Sequence, residues 1–289
     1  MAEPETEGDP RLSSVRSKRR HVMEERLVAR QVNRERVVVL GWGRALLWQL
    51  AHPLVAVAVA RHSDFSRSLR AAWRRFTRTV QAMRRLSFGT EAEADEVARW
   101  IRQAHRRVQG RLGEPLGPFP AGTTYRADDP ALLTWVHVAT IEATLHAYET
   151  FVRPLTPEER DRYCREARAM EAWLGLSPGT FPDSWAALTA HLQAMRDSGV
   201  LQVTPMARQM AEHVLVPTPW VAPLAKPWRL LTLGLLPPEL RAAYGFAWSE
   251  RDERAFRQLV AFIRRGVARA PHRVRHWPEA RRLRLAPSR

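Results

Sequence analysis

Helix starts recur along this chain, each followed by apolar residues three and four apart, and few folds can be built from such a sequence. Thr90 with Glu93 has the form of a capping box, in which a hydroxyl and a carboxylate satisfy each other's backbone N–H groups. Ala94, Val97, Ile101, Ala104 and Val108 follow at helical spacing until Gly110. Thr156 with Glu159 repeats the device, with Pro157 at the first helical position, where its missing N–H costs nothing. Asp129-Pro130 opens a helix in which Leu133, His137, Ile141 and Leu145 share a face, and Ser184 opens another that carries Trp185, Leu188, Leu192 and Met195. No run of alternating polar and apolar residues is long enough to make a sheet. The expectation is an all-α fold, a single multi-helix globular domain.

Its limits are set by charge and by irregular segments. Residues 1–36 read as a basic, partly flexible N-terminal segment, 37–263 as the helical domain and 264–289 as an Arg-rich C-terminal tail, with nine arginines against Glu279. The net charge of +16 rests on arginine, since Lys18 and Lys226 are the only lysines, and it gathers towards the two ends. Most such runs are solvated surface. A basic tail also leaves peripheral contact with anionic lipid open. Specific nucleic-acid binding is not expected, because no helix-turn-helix unit is set apart with its own basic recognition helix. The Gly- and Pro-rich stretch Gly110 to Pro130 reads as a loop, long enough to cover a site.

Cys164 is the only cysteine, which excludes an internal disulfide and a thiolate metal cluster. The first residues, MAEPETEGDPRLSSVRSKRR, lack the apolar core of a secretory leader. Ala45 to Ala60 is apolar but broken by Gln49, His52 and Pro53, and reads as two buried helical segments meeting at His-Pro rather than a membrane span. A cytoplasmic location is expected.

In a helical protein the informative residues are polar groups on apolar faces, because burying one without a partner costs roughly 1 to 3 kcal/mol. His105 follows Ile101 on the apolar stripe of ARWIRQAHRRVQG, and His137 lies between Leu133 and Ile141. On pattern alone, the ordinary reading of each is a core histidine bonded to a backbone carbonyl; a ligand presented from an apolar wall is the other. In RSLRAAWRRFTRTVQAMRRLSFG, Trp73, Phe76, Val80 and Met83 form an apolar face, while Arg75, Arg78 and Thr79 lie within one turn at its margin. Guanidinium groups there supply planar donors for a carboxylate, a phosphate or an oxygen species, or they form a solvated basic face.

Taken in order, the segments LGWGRALLWQLAHPLVAVAVARHSDF, RRFTRT with FGTEAEA, HRRVQG, YRADDPALLTWVHVATIEATL and RYCREARAMEAWLGL resemble the helical oxygenase family of the latex-clearing rubber oxygenases and the fungal MpaB oxygenase. The resemblance implies an all-α fold and haem b, with His105 as axial iron ligand and His137 as the family's second histidine. It implies that Arg75, Thr79 and Arg78 lie beside the oxygen-binding side, and that the partners are O2 and a hydrophobic, unsaturated or lipid-like small molecule. Arg78 stands where rubber oxygenases have lysine, and HPLVAVAVARHS holds no carboxylate where those enzymes have a catalytic glutamate. Polyisoprene as substrate is therefore not carried over. Two other functions stay open: a non-haem iron oxygenase using His137, Glu142, His146, Glu93 and Glu96, and a non-catalytic helical protein that binds lipids or anionic surfaces.

Overall fold

Asp129 fixes the start of the helix on which the rest is assembled. Its carboxylate accepts from the N–H groups of Ala131 at 2.8 Å and Leu132 at 3.3 Å, and Pro130 occupies the first helical position. The computed structural model describes residues 27–63, 69–215 and 222–281. Its elements begin with α1 (Leu27–Asn33), a 3-10 helix (Arg36–Gly41), α2 (Trp42–Leu50), α3 (Pro53–His62), α4 (Leu69–Phe88) and α5 (Glu91–Arg106). After the short strands β1 (Gln109–Arg111) and β2 (Thr124–Arg126) come α6 (Pro130–Phe151), α7 (Pro157–Ala167), α8 (Ala169–Leu174) and α9 (Trp185–Asp197). The described residues end with α10 (Pro205–Leu215), α11 (Ala222–Leu235), α12 (Pro238–Tyr244), α13 (Glu250–Arg269), α14 (His272–Arg275) and a second 3-10 helix (Glu279–Arg281).

The described residues form one all-α globular domain, as the sequence predicts. Helix α6 is buried on nearly every side and packs against the 3-10 helix, α2, α9 and α13. Gly41 permits the closest of these approaches: a Cβ there would stand 2.6 Å from the Ala143 carbonyl oxygen and 2.7 Å from the Ala147 Cβ. The capping boxes at Thr90 and Thr156 form as expected, and a third, Ser249 with Asp252, starts α13. The apolar run around His52-Pro53 is indeed two segments, bent by 108° at their junction, with Leu47, Ala56 and Val57 in the core. No single helix among the described residues is long and apolar enough to cross a membrane.

Three sequence expectations need correction. The loop after Gly110 contains a small antiparallel hairpin in which Gly110 pairs with Tyr125, and the helix before it ends at Arg106. Gly110 is required because a Cβ would lie 2.5 Å from the Tyr125 hydroxyl. The basic N-terminal segment joins the fold from α1 onward, where Val28 and Val32 enter the core. The Arg-rich stretch from Arg264 is not a free tail over its described part: α13 continues to Arg269, and the chain then folds back on the N-terminal helices. There the buried Glu35 carboxylate accepts from Arg275 Nε at 2.6 Å and pairs with His276 Nε2 at 3.1 Å. Arg36 and Arg84 lie over the Trp277 ring, 5.2 and 4.9 Å from its centre. Residues 1–26, Asp64 and 282–289, with their share of the basic charge, lie outside the described residues, as does the Trp73 side chain.

Candidate active site

Helices α4 and α5 pair along a short apolar seam of their own, made by Ala82, Leu86, Ala94 and Val97 with Met83 and Ile101 beside them. The seam is separate from the main core. An edge-on contact between Trp42 and Phe76, 5.9 Å between ring centres, ties α4 to α2. At its C-terminal end α5 is continuous with the hairpin: Val108 N–H donates to the His105 carbonyl at 2.9 Å, and Ala127 N–H donates to the Val108 carbonyl at 2.9 Å. His105 therefore sits on the last turn of α5, above the base of the hairpin and close to Asp128.

Arg75 faces the same space from α4. Its guanidinium donates to the Ser63 hydroxyl at the C-terminal cap of α3, and the Thr79 hydroxyl donates to the Arg75 carbonyl at 3.0 Å. Arg75 keeps accessible surface, yet desolvation by surrounding protein holds its pKa below the ordinary arginine value. His105 is half-buried, and its pKa is lowered by desolvation first, then by the Arg75 charge, against a smaller opposing pull from Asp128. The imidazole is thus held neutral near pH 7, and it has no hydrogen-bond partner among the described residues. Arg78 and Thr79 are exposed at the same margin.

His137 is not part of this cluster among the described contacts. It lies deep in α6 with its ring stacked on Phe181, 3.9 Å between centres, and its Nε2 has no hydrogen-bond partner among the described residues. Burial lowers its pKa to about 3. At the α2–α3 bend His52 caps α3 through Nδ1 and stacks on Phe119, and desolvation lowers its pKa to about 4. Both folded values lie below the unfolded histidine value of about 6.5, so between them the unfolded chain holds more protons. Stability is therefore fully present above about pH 6.5 and declines as pH falls, by about 1.4 kcal/mol per pH unit for each histidine. Urea unfolding from pH 7 to 5 measures the slope, and His137→Leu should flatten it by one histidine's share; an unchanged slope would mean that His137 is not buried neutral.

The carboxylates of the non-haem reading are engaged elsewhere. Glu142 is in a bidentate pair with Arg44, Glu93 caps α5, and Glu96 pairs with Arg85. Among the described residues no three His, Cys, Asp or Glu side chains come together to hold a metal ion. The structure adds groups that the sequence did not single out: Ser63, which holds Arg75; Asp128, whose charge acts on His105; and the His62–Tyr125 pair, 3.1 Å apart, of which His62 is next to Ser63 in the chain. Each depends on contacts between segments distant in sequence, and no local pattern marks them.

Comparison with known proteins gives the family. Residues 29–265 match the family model for the "ER-bound oxygenase mpaB/B'/Rubber oxygenase, catalytic domain". Uncharacterized proteins of Mycobacterium tuberculosis and Mycobacterium bovis are each 26% identical over 235 residues, covering 79% of this chain and 88% of theirs. No solved structure is significantly similar to the chain. The family match takes in α4, α5, the hairpin and α6, and the protein belongs to the family of mpaB and rubber oxygenase catalytic domains, a family of oxygenases.

Proposed function

We propose that the protein is a haem b-dependent oxygenase that oxidises a hydrophobic, unsaturated or lipid-like small molecule with O2. The observation that carries this reading is His105: a half-buried imidazole without a hydrogen-bond partner among the described residues, its pKa lowered by desolvation and by the nearby Arg75 charge. A neutral imidazole presented from a protein wall is the kind of group that would hold haem iron, and His105 fits that role. Haem, when bound, supplies an iron centre that reacts with O2. The chain's own part is to fix His105 on the last turn of α5, to keep the Arg75 charge near it while Ser63 holds the guanidinium, and to carry Thr79 and Arg78 exposed on the same margin of α4. His137 supports α6 from inside the core in this reading and is the family's second histidine without being the ligand.

The non-catalytic lipid-binding reading has less support, because it gives no reason for a desolvated arginine and histidine to face one another. Cytoplasmic location is part of the proposal and rests on the single cysteine, whose thiol is buried and pushed up to about 12. The oxidised and dithionite-reduced absorption spectra of protein made with haem precursor supplied test the main claim. A Soret band that shifts on reduction, with haem near one per chain, is the expected result. A featureless spectrum at full helicity, unchanged by haem reconstitution, overturns it.

Arg75 allows a finer test. Its one described side-chain partner is the Ser63 hydroxyl, so Arg75→Ala should leave folding and haem content close to those of the parent. Oxygen-dependent turnover should fall by about 100-fold, the usual loss when a preorganised donor to developing charge is removed. Undiminished turnover would take Arg75 out of the site.

A further inference from the structure

Helix α13 packs on α11 and α6 through Phe256, Leu259, Val260 and Ile263, and turns a different residue set outward. Phe262 is 72% exposed, and Val274, just beyond the helix, is 60% exposed. Single exposed apolar residues are ordinary on a protein surface, and what sets these two apart is the arginine around them. Arg265 and Arg269 follow Phe262 at three and seven residues and share its face. The same two arginines, with Arg264 and Arg275, line a cleft of about 690 Å³ between α13, α14 and the end of α6. Glu35 already holds Arg275. Arg264, Arg265, Arg269 and Arg273 have no carboxylate partner among the described residues. This corner thus places uncompensated guanidinium groups around a cleft and beside exposed apolar side chains.

We propose that the α13–α14 corner docks on an anionic phospholipid surface: the arginines of the cleft take the headgroup phosphates, and Phe262 and Val274 enter the acyl boundary. Guanidinium matches phosphate geometry through paired N–H donors, and a basic helix with apolar insertion points is the composition that lies in a membrane interface. Bare phosphate and nucleic acid would use the arginines but leave Phe262 and Val274 facing water. The inference goes beyond the proposed oxygenase activity and is read without turnover, so either can fail alone.

Sedimentation of the full chain with vesicles tests it, comparing phosphatidylcholine alone with a mixture of phosphatidylcholine and phosphatidylglycerol. Binding to the mixture only, weakening steeply with sodium chloride, is expected. Arg265→Gln and Arg269→Gln should each cost about fivefold in partitioning, and Phe262→Ser about tenfold, with circular dichroism and melting temperature unchanged since all three side chains are exposed. No binding, or equal binding to both vesicles, overturns the proposal. So does complete release by inorganic phosphate at an ionic strength where sodium chloride leaves the protein bound, or binding to a DNA duplex, where the arginine changes weaken binding and Phe262→Ser does not; these outcomes would assign the cleft to soluble phosphate or to nucleic acid.

Discussion

The His105→Ala protein is expected to fold like the parent and to purify with less than about a tenth of its haem, since even changes one shell away from a metal ligand cost about 10- to 100-fold in affinity. Folding should survive because the site makes few demands on the core. His105 is only half-buried, lies on the last turn of α5, and has no hydrogen-bond partner among the described residues. The apolar contacts that hold α5 belong to Ala94, Val97 and Ile101. A stability change within about 1 kcal/mol is the ordinary outcome for such a position. The pyridine haemochrome assay reads the haem, and thermal unfolding followed by circular dichroism reads the fold. Imidazole added to the variant should restore part of the Soret band, because the truncation leaves room for a free ligand at the same place. His137→Ala makes the opposite pair of predictions: an appreciable loss of stability, from the hole left against Phe181, with haem retained by whatever fraction stays folded. Full haem in His105→Ala would remove the ligand assignment, and loss confined to the folded His137→Ala protein would transfer it.

What the sequence shows of this fold is whatever lies within a few residues of itself. Thr90, Asp129, Thr156 and Ser184 mark helix starts because their partners are two or three positions on, and all four cap helices in the structure. The hairpin escapes because strands of three residues are too short to show alternation, and Gly110 acts there as a seat for Tyr125 rather than as a helix stop. The candidate site is legible to the same degree. The spacing of Arg75, Arg78 and Thr79 puts them on one margin of α4, but only the fold shows that the Arg75 charge acts on His105 and that Ser63 holds its guanidinium. His105 and His137 look alike as histidines on apolar stripes. In the fold one is left half-buried on the last turn of α5, and Phe181 closes over the other. Buried carboxylates are the least legible of all. Glu35 reads as part of a basic surface segment until Arg275 and His276 arrive from the far end of the chain.

Glu142→Ala should be the most destabilising single change at any residue considered for metal binding, by about 3 to 5 kcal/mol, the usual cost of leaving one member of a buried ion pair alone. Arg44 is 7% exposed and Glu142 13%, with Arg44 Nε donating to the carboxylate at 2.8 Å and a second guanidinium nitrogen completing the pair. Arg44 also donates to the Leu235 carbonyl at the end of α11, so the pair joins α2, α6 and α11. Without Glu142 the guanidinium keeps its charge in a place where water cannot replace the carboxylate. Removing both charges is a different matter: Arg44→Met with Glu142→Leu deletes the desolvation penalty along with the attraction, and such exchanges are often neutral or stabilising. Chemical denaturation of the two single variants and the double variant therefore separates two roles for Glu142. If Glu142 serves the fold, the double variant regains most of the stability lost by the single one and keeps its haem. If Glu142 is a ligand in a non-haem iron site, every variant lacking it loses iron whatever its stability, and the double variant folds well while carrying none.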